Sequence, residues 1–175
     1  MDAQKEMMIT ELNDITIVPG KSCLLCPGKN TTFHSVLEKI LECTGPAELS
    51  LASYSVSEQA LRVLHRMKSE GHITKLSFLF DRSVRNNKLD LLAFAAQFAD
   101  EIFLDSSHIK LALINNDQHN VVVITTANIT ENERWEYYLI AATSDIVLEV
   151  THMLAYLLNF SEKFIWDESG TTKAN

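Results

Sequence analysis

At 175 residues with 46% hydrophobic content, the chain can bury one full core, and a single domain is the simplest count. Its 15 lysines and arginines stand against 23 aspartates and glutamates, a net charge of -8, which disfavours the broad basic surface that nonspecific nucleic-acid binding requires. No apolar run approaches a membrane span, and residues 1–14 lack the apolar stretch and small-residue cleavage site of a signal peptide, so no membrane attachment and a cytoplasmic location are expected.

In chain order, residues 1–30 read as an N-terminal extension of mixed character. Residues 48–56, E-L-S-L-A-S-Y-S-V, alternate as a strand. Ser57 and Glu58 then open a helix with Ala60, Leu61, Leu64 and Met67 on one face, stopped by Gly71. Residues 73–80 form a second strand, 88–99 a second helix and 101–104 a short strand. Residues 111–114 and 121–124 are the two arms of a hairpin around the polar cluster 115–120. Residues 137–142 read as a further strand, and 145–160 as a long amphipathic helix with Ile146, Val150, Met153, Leu154 and Leu157 inward. Residues 163–175 complete the chain as a polar tail. This alternation predicts an α/β fold, a mixed sheet sandwiched by helices, over residues 31–162.

The segment that reads as chemistry is 108–136, H-I-K-L-A-L-I-N-N-D-Q-H-N-V-V-V-I-T-T-A-N-I-T-E-N-E-R-W-E. His108 and Lys110 are two apart, as are Thr126 and Asn128, so a hairpin of suitable register brings an imidazole, an ammonium, a hydroxyl and a carboxamide to one place. A histidine can attack as a nucleophile or shuttle a proton, while lysine and asparagine donate to phosphoryl oxygens. Such a group needs no metal or other cofactor.

This run resembles the phospholipase D superfamily signature, H-x-K, a hairpin, G-S-x-N and a later acid, here carried by His108, Lys110, Thr126, Asn128 and Glu136. The resemblance extends over roughly residues 32–158. Thr125-Thr126 replaces the family's glycine-serine pair, keeping a hydroxyl and adding a β-branch, and Asn115 stands where the family has an aspartate, so the motif is degenerate. The family works with two such motifs and this chain has one, so the resemblance implies a two-fold homodimer with the two His108 side chains face to face. It further implies a phosphohistidine intermediate, Lys110 and Asn128 on the phosphoryl oxygens, Thr126 as a supporting donor and Glu136 orienting an imidazole. The implied substrate is a phosphodiester, with nucleic acid favoured over lipid because no membrane-binding segment is present.

Two other groups compete for attention. Cys23 and Cys26 have the spacing of a zinc knuckle or a redox pair, with His34 and Cys43 as further ligands on paper, but no second pair follows at standard spacing, and free thiols are the simpler reading. Arg62, Arg66, Lys68, Lys75, Arg82, Arg85 and Lys88 concentrate positive charge along the first helix and the loop after the second strand. There Arg82 and Arg85 are candidates for substrate binding, against the plainer reading of a solvated loop. Two functions remain open: a small metal-independent phosphodiesterase, and a catalytically silent phospholipase D-like module that binds phosphate, nucleic acid or a protein partner.

Overall fold

A computed structural model describes residues 12–131, 133–166 and 172–174. Residues 1–11 of the expected extension, and 167–171 and 175 of the expected tail, lie outside the described residues. Strands β1 (Ser22–Leu25), β2 (Ala47–Ser53), β3 (Ile73–Asp81), β4 (Glu101–Asp105), β5 (Leu111–Asn115), β6 (Asn120–Thr125), β7 (Tyr138–Ala141), β8 (Glu162–Trp166) and β9 (Thr172–Ala174) form one sheet in the order β1-β7-β6-β5-β2-β3-β4-β8-β9. β2, β3 and β4 run parallel, and every other neighbouring pair is antiparallel.

Helices α1 (Phe33–Thr44), α2 (Glu58–Ser69), α3 (Arg82–Asn87), α4 (Leu89–Ala95) and α5 (Ser144–Phe160) complete the described fold. The strands alternate their side chains between two cores. Leu49, Leu51, Phe78, Phe80, Ala112, Ile114, Val121 and Val123 pack with α1, α2 and α4. Ala52, Leu79, Leu111, Leu113 and Val122 pack with Val150 and Leu154 of α5. The sheet is therefore covered by helices on both faces.

α1 was not anticipated from the sequence, although its signals are ordinary. Phe33, Val36, Leu37, Ile40 and Leu41 fall at helical spacing and are buried. Thr32 caps it, its hydroxyl accepting from the Ser35 amide at 3.2 Å while Ser35 Oγ accepts from the Thr32 amide at 3.1 Å, a reciprocal cap with serine in the place usually held by glutamate.

Other differences have equally local causes. The expected 88–99 helix is α4, shorter and preceded by a separate α3, because Lys88 leaves the helical region at φ -145° and ψ 46°. Met153 is 38% exposed and not inward, since it lies at the margin of the stripe that Ile146, Val150, Leu154 and Leu157 define. Residues 22–25 of the expected extension are the edge strand beside β7. Residues 163–166 of the expected tail belong to β8, which pairs with β4 and buries Phe164.

Candidate functional site

The carboxyl ends of the parallel strands converge on one edge of the sheet, where open α/β sheets place their crevices. β2 ends on Ser53, β3 on Asp81 and β4 on Asp105; β6 ends on Thr125 at the same edge, and β5 starts there. A pocket of about 660 Å³ opens at this edge, lined by His108, Lys110, Thr125, Thr126, Asn128, Thr130, Glu131, Arg134 and Glu136. All five residues of the sequence motif are brought together.

His108 and Lys110 are not part of a strand, because β5 begins at Leu111; they form its lead-in. The Thr125 amide donates to the Lys110 carbonyl at 3.1 Å, continuing the β5–β6 pairing by one step. That register puts Thr125, and not Thr126, opposite Lys110. Thr126 lies past the strand end, where its hydroxyl donates to Oε2 of Glu136 and accepts from the Tyr137 amide at 3.2 Å.

Lys110 is held on the histidine. Its Nζ donates to the His108 carbonyl at 2.9 Å and lies 3.0 Å from His108 Nδ1. Burial lowers the Lys110 ammonium from its ordinary pKa, and the nearby charge of Glu136 opposes that shift. Tyr54, directly after β2, packs its ring against the imidazole with centroids 4.7 Å apart, and Lys110 Nζ sits 6.0 Å from the same ring centre.

Two polar groups, the buried Ser53 and the half-buried Asp81, tie the loops of the site together. Ser53 Oγ donates to the Ser55 carbonyl at 2.7 Å, accepts from the Ile129 amide at 3.1 Å and approaches Asn128 Oδ1 at 3.5 Å. Asp81 accepts from the Ser83 amide at 2.8 Å and the Ser107 amide at 3.1 Å, linking the start of α3 to the segment before His108. Burial pushes the Asp81 carboxyl up, but these hydrogen bonds, with a smaller electrostatic contribution from nearby His108, outweigh it and hold the group below its ordinary pKa. Behind Glu136, burial first and the Glu136 charge second push the Tyr138 phenol well up, and its hydroxyl donates to the Thr31 carbonyl at 3.2 Å.

Arg82 and Arg85 are not among the pocket-lining residues. Arg82 lies 3.6 Å from Asp105 and Arg85 pairs with Glu162. The rest of the basic cluster is likewise engaged. Arg62 pairs with Glu58, Arg66 with Glu38, Lys68 with Asp100 and Lys75 with Glu101. Lys88 Nζ donates to Ser55 Oγ at 2.9 Å and to the Val56 carbonyl at 2.6 Å. The local excess of positive charge in the sequence is thus met by carboxylates and carbonyls in the fold. The arginine at the pocket is Arg134, which sequence reasoning did not single out. Thr125, Thr130, Tyr54 and Asp81 were also missed; Tyr54 fell inside the expected strand 48–56 and Asp81 directly after the expected strand 73–80.

The cysteines do not form a ligand set. Cys23 is on β1, Cys26 just past it and Cys43 exposed on α1, all as free thiols. Burial raises the Cys23 thiol and lowers the His34 imidazole, the latter opposed by Glu131 and Glu38. Among the described residues, no group of three or more histidines, cysteines, aspartates or glutamates is placed to hold a metal ion.

No family model and no curated protein matches the chain. Solved structures do. NucT from Helicobacter pylori aligns with a TM-score of 0.61 at 17% identity, over 81% of this chain and 97% of that one. Polyphosphate kinase from Porphyromonas gingivalis aligns with a TM-score of 0.58 at 20% identity, over 79% of this chain and 26% of the kinase. TrmBL2, described as an archaeal chromatin protein with a novel mode of DNA binding, aligns with a TM-score of 0.51 at 10% identity, over 81% of this chain and 53% of that one. At these identities the likeness is one of fold. The mixed sheet flanked by helices is a phospholipase D-like fold, and among the described residues no helix is long and apolar enough to cross a membrane.

Proposed function

We propose that this chain is a metal-independent phosphodiesterase of the phospholipase D type, nuclease-like, acting through a phosphohistidine at a homodimer interface. The observation that carries the reading is the convergence of His108, Lys110, Asn128, Thr126 and Glu136, with Arg134 added, in one pocket at the carboxyl edge of the parallel strands. A phosphoryl group in that pocket meets a nucleophile and several donors, which is what a transition state with charge spread over phosphoryl oxygens requires. The fold shared with a polyphosphate kinase and with a DNA-binding chromatin protein supports a ligand rich in phosphate.

In this mechanism the Nε2 lone pair of one His108 attacks phosphorus as the bond to the leaving oxygen breaks. The leaving oxygen takes its proton from His108 of the partner subunit. That second imidazole then removes a proton from water as the water oxygen attacks phosphorus, and the phosphorus–nitrogen bond breaks with its electrons returning to Nε2. Lys110, Asn128 and Arg134 hold the phosphoryl oxygens. One motif per chain is the reason for invoking the dimer.

The test is hydrolysis of a chromogenic phosphodiester in excess EDTA by the native protein and by His108→Ala, with the assembly state measured by light scattering. EDTA-resistant turnover that disappears in the variant is expected. A dimer without turnover above the variant, on the chromogenic diester and on nucleic acid alike, sinks the hydrolytic reading.

A second reading, a silent phosphate-binding module, has its own observation. Among the described residues the hydrogen-bond partner of the His108 ring is Lys110, and Glu136 is engaged with Thr126, so no carboxylate orients the imidazole in the resting arrangement. Phosphate affinity that survives His108→Ala in a protein without turnover is the outcome that selects this reading.

A further inference from the structure

The contact between Lys110 and His108 has a chemical direction. An ammonium group only donates hydrogen bonds, so at 3.0 Å from Nδ1 it makes Nδ1 the acceptor and leaves the ring proton of a neutral imidazole on Nε2. A nitrogen that carries a proton has no lone pair for attack. The resting imidazole is therefore a donor toward the pocket and not a nucleophile.

Tyr54 makes this arrangement persistent. Its ring covers the imidazole at 4.7 Å and lies 6.0 Å from the Lys110 ammonium, so one aromatic face supports both partners. Tyr54 is 38% exposed, yet its backbone is not free. The preceding Ser53 is pinned by Ile129 and Ser55, Lys88 binds Ser55 and Val56, Val56 bridges to Ile129, and the Ser57 amide donates to the Ile129 carbonyl at 2.9 Å. A segment fixed at Ser53, Ser55 and Val56 has no evident reason to expose an aromatic residue between them except what that residue touches.

We infer that Tyr54 is a positioning residue which, with Lys110, holds the resting His108 as the Nε2–H tautomer, and that a phosphoryl anion must draw Lys110 away before Nε2 can react. The second half rests on the phosphodiesterase reading above; the first does not. Once Lys110 turns to the anion, Nδ1 loses its donor, takes a proton from solvent, and Nε2 releases one, leaving the imidazole neutral with its lone pair toward the pocket. The charged side chains around this unit are Asp81, joined through the Ser107 amide to the segment before His108, Glu136, which opposes the lowering of Lys110, and the pocket-lining Glu131 and Arg134.

The experiment is long-range proton–nitrogen correlation spectroscopy on the full chain with labelled histidines, His108 being assigned from the signal lost in His108→Ala. The free protein should show Nε2–H favoured by about tenfold or more, the weight of one hydrogen bond from a charged donor. Tyr54→Leu and Lys110→Met should each reduce that bias toward the preference of free histidine, while Tyr54→Phe keeps it. Inorganic phosphate should move the native signal toward Nδ1–H. Equal tautomer populations in the native protein and Tyr54→Leu, with both folded by far-ultraviolet dichroism, overturn the inference, as does phosphate that binds without moving the tautomer. If the tautomer responds as described and the chromogenic diester is still not hydrolysed, the positioning role stands and the hydrolytic reading fails.

Discussion

The hydroxyl of Thr126 donates to Oε2 of Glu136, a carboxylate only 8% exposed. This pairing places a β-branched residue where the phospholipase D signature carries serine, and it uses the hydroxyl inside the wall of the pocket instead of offering it to a ligand. A buried carboxylate that loses a donor bears the desolvation cost of an unsatisfied acceptor. Thr126→Ala should therefore lower stability by about 1–3 kcal/mol, whereas Thr126→Ser keeps the donor and should stay within roughly 0.5 kcal/mol of the native value. Urea denaturation of the two variants decides the matter, and equal stability of all three proteins would show that the hydroxyl is dispensable to Glu136.

Ser53 holds two loops, the one after β2 and the one after β6, through one atom. Its oxygen donates to the Ser55 carbonyl and accepts from the Ile129 amide, next to Asn128, in a fully buried position. Ser53→Ala leaves that amide and that carbonyl without their partner, a loss of about 1–3 kcal/mol in urea denaturation. Because Asn128 lines the pocket and Ile129 follows it, phosphate affinity measured by calorimetry should fall as well. Full affinity in a destabilised Ser53→Ala protein would separate the fold of this loop from the binding of the ligand.

Arg134 and Arg82 make opposite predictions. Arg134 lines the pocket while Arg82 lies beside Asp105 and Arg85 is paired with Glu162. Arg134→Ala should weaken the binding of inorganic phosphate about tenfold, the scale of one charge-assisted hydrogen bond. Arg82→Ala should change it by less than about twofold, since an exposed ion pair contributes little. Equal losses in calorimetric titrations of the two variants would mean that the anion site reaches across to α3.

Most of the strand and helix pattern from Glu48 to Phe160, α3 excepted, was legible because its elements carry a clean period and a stop signal, such as the positive φ of 81° at Gly71 after α2. The motif was legible because spacing in a hairpin translates directly into neighbourhood. What escaped was the information that only pairing supplies. β1 and β8 do not stand out before their partners β7 and β4 are known. The register that sets Thr125 opposite Lys110 is decided by where the β5–β6 turn closes, with Asn115 opposite Asn120. The cluster from Arg62 to Lys88 read as a basic patch because its counter-charges, Glu38, Asp100, Glu101, Asp105 and Glu162, are distant in sequence. Asp81 and Tyr54 carried no motif; their importance comes from standing at and just beyond the ends of adjacent parallel strands.

Asp81 gives a prediction in which pH is the variable. Its folded-state pKa lies below the ordinary 3.8, because the Ser83 and Ser107 hydrogen bonds, with a smaller electrostatic contribution from His108, outweigh burial. A carboxyl depressed on folding stabilises the native state fully above its unfolded value, and that share is lost as pH falls through the folded value. Asp81→Asn keeps a cap for α3 but has no proton to take up, so the stability difference between the native protein and this variant should be constant near neutrality and shrink below pH 3.8. Asp81→Ala loses the cap as well and should be about 0.5–2 kcal/mol less stable than the native protein at neutral pH. Asp100 and Glu101, whose carboxyls are also lowered, add their own acid sensitivity to both proteins and cancel in the difference. Urea denaturation of the three proteins from neutrality down to about pH 2 supplies the curves; a native-minus-Asn difference that is flat across the acid range would mean that Asp81 is not depressed by folding.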